Sequence, residues 1–206
     1  FGDMSILSFA GNKVLTTGEG GAVLVNSKKL YEKLKLIRSH GRQINSNYFQ
    51  TTKTPNYISL GYNWRMSSMT AALGISQLRK LETLISKRRK NSIYLSSKLK
   101  KCSEITLPLD YKNHKNVFQL YTIRIRGKNL RNNLMKFLEK RGIMSKIFFE
   151  PVHLSKFYSK NMNKKISLPV TEKISQQVLT LPMYPSLTKN EINFISDTIN
   201  EFFETL

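Results

Sequence analysis

The residues whose types and spacing could support chemistry lie near the start of the chain. Lys13 stands between two apolar runs, residues 5–9 and 22–25, and is followed by the sequence TTGEGG at residues 16–21. A lysine beside buried strands costs free energy unless its charge is paired, solvated or used chemically. The residue types alone leave two interpretations open: a strand-end lysine whose amine reaches water, or a nucleophilic amine that condenses with a carbonyl.

Other patterns that mark catalytic sites are weak or absent from the sequence. The three histidines, His40, His114 and His153, lie far apart and have no carboxylate at metal-ligand spacing, which disfavours a zinc site. There is no Gly-x-Ser-x-Gly element of the kind found in hydrolases. The sequence GNKVLTT lacks the Gly-x4-Gly-Lys-Ser/Thr order of a phosphate-binding loop. Lys13 therefore remains the residue to explain.

The charge of the chain raises the question of a phosphate-rich partner. Among 206 residues, 34 Lys and Arg stand against 13 Asp and Glu, for a formal net charge of +21. Such a balance suits either nucleic acid or a nucleotide-bearing metabolite. The basic residues are dispersed, however, and the densest run, SKRRKN at 86–91, has no RNA-binding, zinc-finger or zipper signature beside it. We favour solvated lysines over a nucleic-acid partner.

Composition indicates a globular protein of the cytoplasm. Hydrophobic residues make up 40% of the chain, and no apolar run approaches the roughly 20 residues that span a bilayer. The opening residues 1–3 lack the basic start of a signal peptide. Cys102 is the single cysteine, which excludes an intrachain disulfide and fits a reducing compartment. We expect a cytoplasmic protein without a membrane partner.

Local patterns in the first half predict a strand pair and a helix. The apolar runs at 5–9 and 22–25 have strand length, and the glycine-rich sequence between them permits a hairpin-like pairing. Ser27 is a helix N-cap, and Gly41 ends that helix. The polar stretch 42–56 is predicted to be a long loop, a type of segment that is often functional.

A long helix is predicted to bridge two domains. It begins at Ser67 or Ser68, carries apolar residues at helical spacing, and runs to about Lys101. Pro108 follows shortly after it. We therefore predict a first domain over 1–105, which includes this helix, and a small α/β domain over 106–206.

The last hundred residues predict alternating strands and helices. Residues 117–126 alternate like a strand with one solvated face, and residues 143–149 form a second apolar run of strand length. A helix is predicted over 129–140. Thr188 and Glu191 have the spacing of a capping box at the start of the final helix.

Five stretches of the sequence together resemble one enzyme family. They are FGDMSILSFAGNKVLTTGEGGAVLVN (1–26), IRSHG (37–41), LGYNWRMSSMTAALGISQLRKLETLISKRR (60–89), FFEPVH (148–153) and LTLPMYPSLTKNEINFI (179–195). In this order they resemble the DegT/DnrJ/EryC1/StrS family of pyridoxal-phosphate-dependent sugar aminotransferases. The resemblance implies an α/β protein of fold type I, with the end of the large domain followed by the small C-terminal domain.

The resemblance also implies a cofactor and three site residues. In this family the lysine matching Lys13 holds pyridoxal 5′-phosphate covalently, and its freed amine then acts as a base that moves a proton. Ser8 matches the serine that hydrogen-bonds the cofactor phosphate. Asn63 matches an asparagine that reaches the cofactor phosphate of a neighbouring subunit, which implies a homodimer with shared active sites. Read alone, Ser8 is an ordinary strand serine and Asn63 a turn residue.

The substrate class follows from the same resemblance. The pair Phe148-Phe149 is similar to the perosamine-synthase branch, whereas Lys146-Ile147 departs from the Arg-Pro often found there. We expect an amino group to move from a donor, glutamate, to a nucleotide-linked 4-keto sugar used in surface polysaccharides. A lysine at position 13 disfavours the related dehydratases, which carry histidine there.

The resemblance begins inside the family's large domain. We therefore expect an N-terminally truncated chain that lacks the phosphate-cradling helix, the stacking ring and the carboxylate that faces the pyridine nitrogen. Two alternatives stay open beside an active aminotransferase. One is an inactive remnant or a half-enzyme that needs a partner segment, and the other is a basic nucleic-acid-binding module.

Overall fold

A computed structural model describes residues 2–43, 52, 54–127, 129–161 and 166–206. The chain forms two compact units, Phe1–Leu81 and Glu82–Leu206. The boundary between these units falls inside one continuous helix, Ser68–Leu99, so it does not test the predicted division into 1–105 and 106–206, which stays a prediction. The units are called the first and the second unit below.

The first unit opens with the predicted strand pair. Strands β1 (Met4–Ser8) and β2 (Gly21–Val25) are antiparallel, with Met4 opposite Val25 and Ser8 opposite Gly21. This register confirms the pairing of the two apolar runs, although their ends shift by one residue. The connection between the strands, residues 9–20, carries Lys13.

Helix α1 (Lys28–Ile37) follows β2 and begins as predicted. The Ser27 hydroxyl accepts a hydrogen bond from the Leu30 amide, which satisfies a donor that the first helical turn would otherwise leave free. Two short strands follow, β3 (Arg42–Gln43) and β4 (Asn56–Tyr57), paired antiparallel. Most of the predicted 42–56 loop, namely residues 44–51 and 53, lies outside the described residues.

Helix α2 (Ser68–Leu99) is the long helix that the sequence predicts. The Ser67 hydroxyl accepts a hydrogen bond from the Thr70 amide at 3.1 Å, so Ser67 rather than Ser68 provides the cap. The helix spans 32 residues, about 48 Å at the usual rise per residue. Its first part belongs to the first unit and its remainder to the second.

The second unit is built on a three-stranded antiparallel sheet. Its order is β5 (Ile105–Thr106), β6 (Tyr121–Ile125) and β7 (Val178–Leu181). Along β6, buried residues alternate with partly buried ones, which is the pattern of a strand with one face on a core. The predicted strand at 117–126 is therefore present in shortened form.

Helices α3 (Leu130–Lys140) and α6 (Lys189–Glu204) contribute apolar side chains to one core with this sheet. The predicted capping box at the start of α6 is present: the Thr188 hydroxyl accepts from the Glu191 amide, and the Glu191 carboxylate accepts from the Thr188 amide at 2.7 Å. The hydrogen bonds that the Thr188 hydroxyl and the Thr188 amide donate to the Glu191 carboxylate hold the pKa of Glu191 below its usual value. The core also includes Leu95 and Leu99 from α2.

The remaining elements are short. They are a 3₁₀ helix (Val152–Leu154), α4 (Lys156–Asn161) and α5 (Pro169–Ser175). The predicted strand over 143–149 is wrong: within that run only Lys146 forms a bridge, paired antiparallel with Thr180. One bridge extends the sheet beside β7 without making a strand. Among the described residues, no helix is both long and apolar enough to cross a membrane.

Candidate active site

The loop that carries Lys13 is closed by main-chain hydrogen bonds. The Phe9 amide donates to the Gly20 carbonyl, and the Thr17 amide donates to the Phe9 carbonyl, each at 2.9 Å. These bonds extend the pairing of β1 and β2 and leave residues 10–16 as a defined excursion. A lysine in such a loop keeps its backbone position while its side chain remains partly exposed.

Lys13 itself ends a tight turn within this excursion. Its amide donates to the Ala10 carbonyl at 3.0 Å, which is the bond that closes a four-residue turn. Because the Lys13 amide is hydrogen-bonded inside the loop, the side-chain amine is the donor of this residue that is available for chemistry. The structure therefore places Lys13 on a fixed turn directly after β1.

Ser8, the second predicted site residue, is the last residue of β1. Its hydroxyl oxygen accepts a long hydrogen bond, 3.5 Å, from the Ala10 amide. Ser8 and Lys13 are thus linked through Ala10. The Ala10 amide donates to the Ser8 hydroxyl oxygen, and the Ala10 carbonyl accepts from the Lys13 amide. In this bond the Ser8 oxygen is the acceptor, so the hydroxyl proton can be donated to another group.

The TTGEGG sequence shapes the return half of the loop. The Thr17 hydroxyl donates to the Glu19 carbonyl at 2.7 Å, and the Thr16 hydroxyl accepts from the Gly18 amide at 3.0 Å. Gly18 and Gly20 have φ of 81° and 142°, backbone conformations that residues with a Cβ rarely adopt. The glycines of the motif therefore serve the turn that holds the Lys13 loop.

Asn63, the third predicted site residue, lies in a separate part of the first unit. Two segments, 37–42 and 58–64, are joined there by main-chain hydrogen bonds. The His40 amide donates to the Tyr62 carbonyl, and the Trp64 amide donates to the Arg38 carbonyl, each at 2.9 Å. Asn63 is bridged to Ser39 in the same ladder. Its backbone is therefore fixed on both sides.

The two segments approach so closely that side chains are excluded at two positions. A Cβ at Gly41 would lie 1.6 Å from the Ser59 carbonyl oxygen, and a Cβ at Gly61 would lie 2.0 Å from the Gly41 nitrogen. Gly41 also has a φ of 69°. Glycine is required at both positions by the backbone that surrounds Asn63.

Residues 62–65 form two pairs of interacting side chains, one aromatic and one polar. Tyr62 and Trp64 stack with ring centroids 4.2 Å apart and planes inclined by 6°. Asn63 and Arg65 form the other group, in which Arg65 Nε donates to Asn63 Oδ1 at 3.3 Å. Arg65 Nη2 in turn lies 3.5 Å from His40 Nε2. The result is a chain of three polar side chains, Asn63–Arg65–His40, all of them exposed.

Sequence reasoning identified Asn63 but did not reveal that Arg65 and His40 contact each other beside it. His40 and Arg65 are 25 positions apart, and no local spacing indicates that they meet. The signal that could have linked them is the pair of glycines, Gly41 and Gly61, each directly beside a member of the ladder. Two glycines that exclude side chains indicate that two backbone segments touch.

The segment FFEPVH, part of the resemblance, lies in the second unit. His153 Nε2 is 3.1 Å from Glu172 Oε1, and the His153 side chain is only 8% exposed. Glu172 also accepts a hydrogen bond from the Leu168 amide at 2.8 Å. These bonds tie the 3₁₀ helix to the start of α5, so His153 has a structural partner in this structure.

The second unit also contains a mainly apolar cavity of about 480 Å³. Met144, Leu181, Met183 and Phe194 are among its lining residues, with Lys146 and Glu191 as charged groups at its wall. None of the three predicted site residues lines it. The cavity is therefore a feature of the second unit that the predicted chemistry does not use.

The donor set in the first unit suits pyridoxal phosphate. The cofactor requires an amine for its aldehyde and hydrogen-bond donors for its phosphate. Lys13 carries an amine of this kind on its side chain. Ser8 and Asn63 each use an oxygen as acceptor in the bonds described above, so the Ser8 hydroxyl proton and the Asn63 amide hydrogens can point to an anion.

Comparison with known proteins gives a consistent result. Residues 1–200 match the DegT/DnrJ/EryC1/StrS aminotransferase family. The GDP-perosamine synthase of Escherichia coli O157:H7 is 32% identical in an alignment that covers 98% of this chain and 52% of that protein. A UDP-4-amino-4,6-dideoxy-N-acetyl-beta-L-altrosamine transaminase of Campylobacter jejuni is also 32% identical, over 98% of this chain and 53% of that protein.

Solved structures agree with the sequence comparison. Helicobacter pylori PseC, an aminotransferase involved in the biosynthesis of pseudoaminic acid, matches with a TM-score of 0.90 and 28% identity, over 100% of this chain and 54% of that chain. These matches confirm the predicted fold, a part of a fold type I aminotransferase. The chain spans about half the length of the relatives it matches.

Proposed function

The chain belongs to the DegT/DnrJ/EryC1/StrS aminotransferase family, and from that premise we propose that it forms the lysine-bearing part of a sugar aminotransferase. The reaction would move an amino group, from glutamate, to a nucleotide-linked 4-keto sugar destined for a surface polysaccharide. The observation that carries the proposal is the position of Lys13, on a fixed turn directly after Ser8 within a match that covers residues 1–200.

Pyridoxal 5′-phosphate is the cofactor that this proposal requires. When bound, it supplies an electron-withdrawing ring that stabilises negative charge at the carbon that loses a proton. The Lys13 amine would hold the cofactor and, when released, would carry the proton between the two carbon atoms that exchange it. The Ser8 hydroxyl and the Asn63 amide would donate hydrogen bonds to the phosphate, without the desolvation cost of a second cation.

A homodimer is part of the proposal. Asn63 lies in a different segment of the first unit from Ser8 and Lys13, and its side chain is exposed. This arrangement suits a residue that serves the active site of a second copy, as the family resemblance implies. We place the enzyme in the cytoplasm, which agrees with a single cysteine, Cys102, in the chain.

The test is covalent trapping of the cofactor. The protein is incubated with pyridoxal phosphate, reduced with borohydride and mapped by peptide mass spectrometry. We expect a label on the peptide that contains Lys13, and its loss in Lys13→Ala. Lys29→Ala, which removes an exposed lysine of α1 in the same unit, is the matched control and should keep the label. Labelling that survives in Lys13→Ala would overturn the proposal.

A specific observation favours a second candidate, a half-enzyme that needs a further polypeptide. The first unit exposes large apolar side chains on its strand pair and on α2, including Ile6 at 82% and Met69 at 83%. Such surfaces are usually covered by other protein. Co-expression with the half of a relative that this chain does not match tests it. Aminotransferase activity that appears only in the mixture supports the half-enzyme, and activity of the chain alone excludes it.

A further inference from the structure

In the polar chain Asn63–Arg65–His40, the contact between Arg65 and Asn63 determines which end of the Asn63 amide is free to bind a phosphate. Arg65 Nε donates to Asn63 Oδ1 at 3.3 Å, and this bond requires that the amide oxygen face the guanidinium. A side-chain amide has one acceptor end and one donor end. With the oxygen turned to Arg65, the Nδ2 hydrogens are the end that Asn63 presents elsewhere.

The orientation of Asn63 decides what it can bind. An amide that presents Nδ2 donates to an anion, whereas an amide flipped by 180° presents oxygen and repels it. Arg65 cannot accept a hydrogen bond, because a guanidinium carries only donors, so its contact selects one of the two amide orientations. Asn63 next to Arg65 is therefore prepared to donate before an anion arrives.

His40 completes the arrangement from the other side. Arg65 Nη2 lies 3.5 Å from His40 Nε2, and because the guanidinium can only donate, Nε2 must accept. The His40 backbone is held by its own bond to the Tyr62 carbonyl at 2.9 Å. The Arg65 guanidinium thus lies between Asn63 Oδ1 and His40 Nε2, and the main chain of His40 is held by its bond to Tyr62.

We propose that Arg65 is a positioning residue, which orients the Asn63 amide so that its hydrogens face the cofactor phosphate. This inference rests on the proposed function, in which Asn63 contacts that phosphate. Arg65 acts through Asn63 rather than by its own charge on the anion. His40 supports the same geometry by fixing the second arm of the guanidinium.

The test compares two ligands that differ only in the phosphate. The purified enzyme is first freed of cofactor. Binding of pyridoxal phosphate and of pyridoxal to this apoenzyme is then measured by absorbance titration. We expect Asn63→Ala and Arg65→Ala each to weaken pyridoxal phosphate binding by about tenfold, the cost of one hydrogen bond to a charged group. Pyridoxal binding should change less than about twofold in both variants, because it lacks the phosphate.

Two further variants separate positioning from charge. The double variant Asn63→Ala/Arg65→Ala should bind pyridoxal phosphate no more weakly than Asn63→Ala alone, because Arg65 has nothing left to orient. Arg65→Gln removes the charge but places a side-chain amide N–H where Nε contacts Asn63, so it should bind pyridoxal phosphate nearly as well as the unchanged protein. Arg79→Ala, an exposed arginine of α2 in the same unit, is the control for simple loss of a cation and should match the unchanged protein.

The outcomes distinguish this inference from the proposed function. If Asn63→Ala weakens binding but Arg65→Ala does not, the positioning role is wrong while the phosphate contact stands. If Arg65→Gln binds as weakly as Arg65→Ala, or if the losses in the two single variants add in the double variant, Arg65 acts by its charge and the inference fails. If Asn63→Ala leaves binding unchanged, or if pyridoxal phosphate does not bind at all, the proposed function fails and this inference fails with it.

Discussion

The two units differ in how they use their apolar residues. In the second unit, Leu134, Ile123 and Ile199 are fully buried, within a core that counts 18 side chains among the described residues. In the described part of the first unit, by contrast, each buried residue is polar or glycine, namely Thr17, Ser39 and Gly41. The second unit resembles a self-contained domain, while the first has its apolar faces outward.

The difference shows where each unit obtains its stability. A two-stranded sheet on its own is marginal in water, and β1 and β2 expose Ile6, Leu7 and Leu24 by 47% or more. The second unit removes comparable residues from water, which supplies most of the driving force for folding. The described order of the first unit is therefore maintained mainly by main-chain hydrogen bonds and tight turns.

The largest expected effect contrasts one core residue of the second unit with one strand residue of the first. Leu134→Ala leaves a cavity in the core and should lower the free energy of unfolding by about 2–5 kcal/mol. Ile6→Ala, at a position that is 82% exposed, should change it by less than about 0.5 kcal/mol. Urea unfolding of the isolated chain, followed by circular dichroism, measures both. Equal losses would show that β1 is buried in solution.

The next prediction concerns an arginine that secures the second unit. Arg88 on α2 donates to the carbonyls of Phe118, Gln119 and Met183, and burial lowers the pKa of its guanidinium. Arg88→Ala leaves these carbonyls without their donor and should cost about 1–3 kcal/mol in the free energy of unfolding. Arg79→Ala, exposed on the same helix, should be nearly neutral. If both variants unfold alike in urea, the contacts of Arg88 do not stabilise the unit.

Thiol reactivity compares the units directly. Cys102 packs against the core of the second unit, and burial, with help from Glu104, raises its pKa to about 11. Only the thiolate reacts, so iodoacetamide at pH 8 should modify Cys102 at least about tenfold more slowly than a thiol introduced by Ser5→Cys on exposed β1. The introduced thiol is measured in a Cys102→Ser background by mass spectrometry. Equal rates would contradict the burial of Cys102.

The smallest expected effect is on acid stability. Arg89 Nη2 lies 2.6 Å from Asp110 Oδ2, and this bond holds the pKa of Asp110 below its usual value. A depressed pKa stabilises the fold above the unfolded pKa of about 4, and that contribution is lost as pH falls through the lower folded value. In Asp110→Asn, the free energy of unfolding should therefore fall less steeply as the pH is lowered through that range than it does in the unchanged protein. An unchanged pH profile would show that the pair contributes nothing.

The sequence predicted well those elements that local chemistry determines. Ser27 and the pair Thr188 and Glu191 cap their helices as their types and spacing indicate, because a cap depends on residues within one turn. The strand pair of β1 and β2 was equally local. Lys13, Ser8 and Asn63 came from the family motifs, and their roles remain predictions.

Elements that depend on distant partners were not predictable in the same way. Residues 143–149 are apolar enough for a strand, yet only Lys146 finds a partner, Thr180 of β7, which also pairs with β6. Strand β7 itself is a four-residue run whose assignment needs its neighbours. The contact of Arg65 with His40 depends on two loops meeting, which no periodicity reports.

The close backbone approach at Gly41 and Gly61 affects how variation in relatives is interpreted. Any side chain at either position would collide with main-chain atoms of the opposite segment. Any relative that keeps this fold would therefore need both glycines, whether or not it catalyses a reaction. Invariance at these two positions would therefore report on the scaffold and carry no information about catalysis.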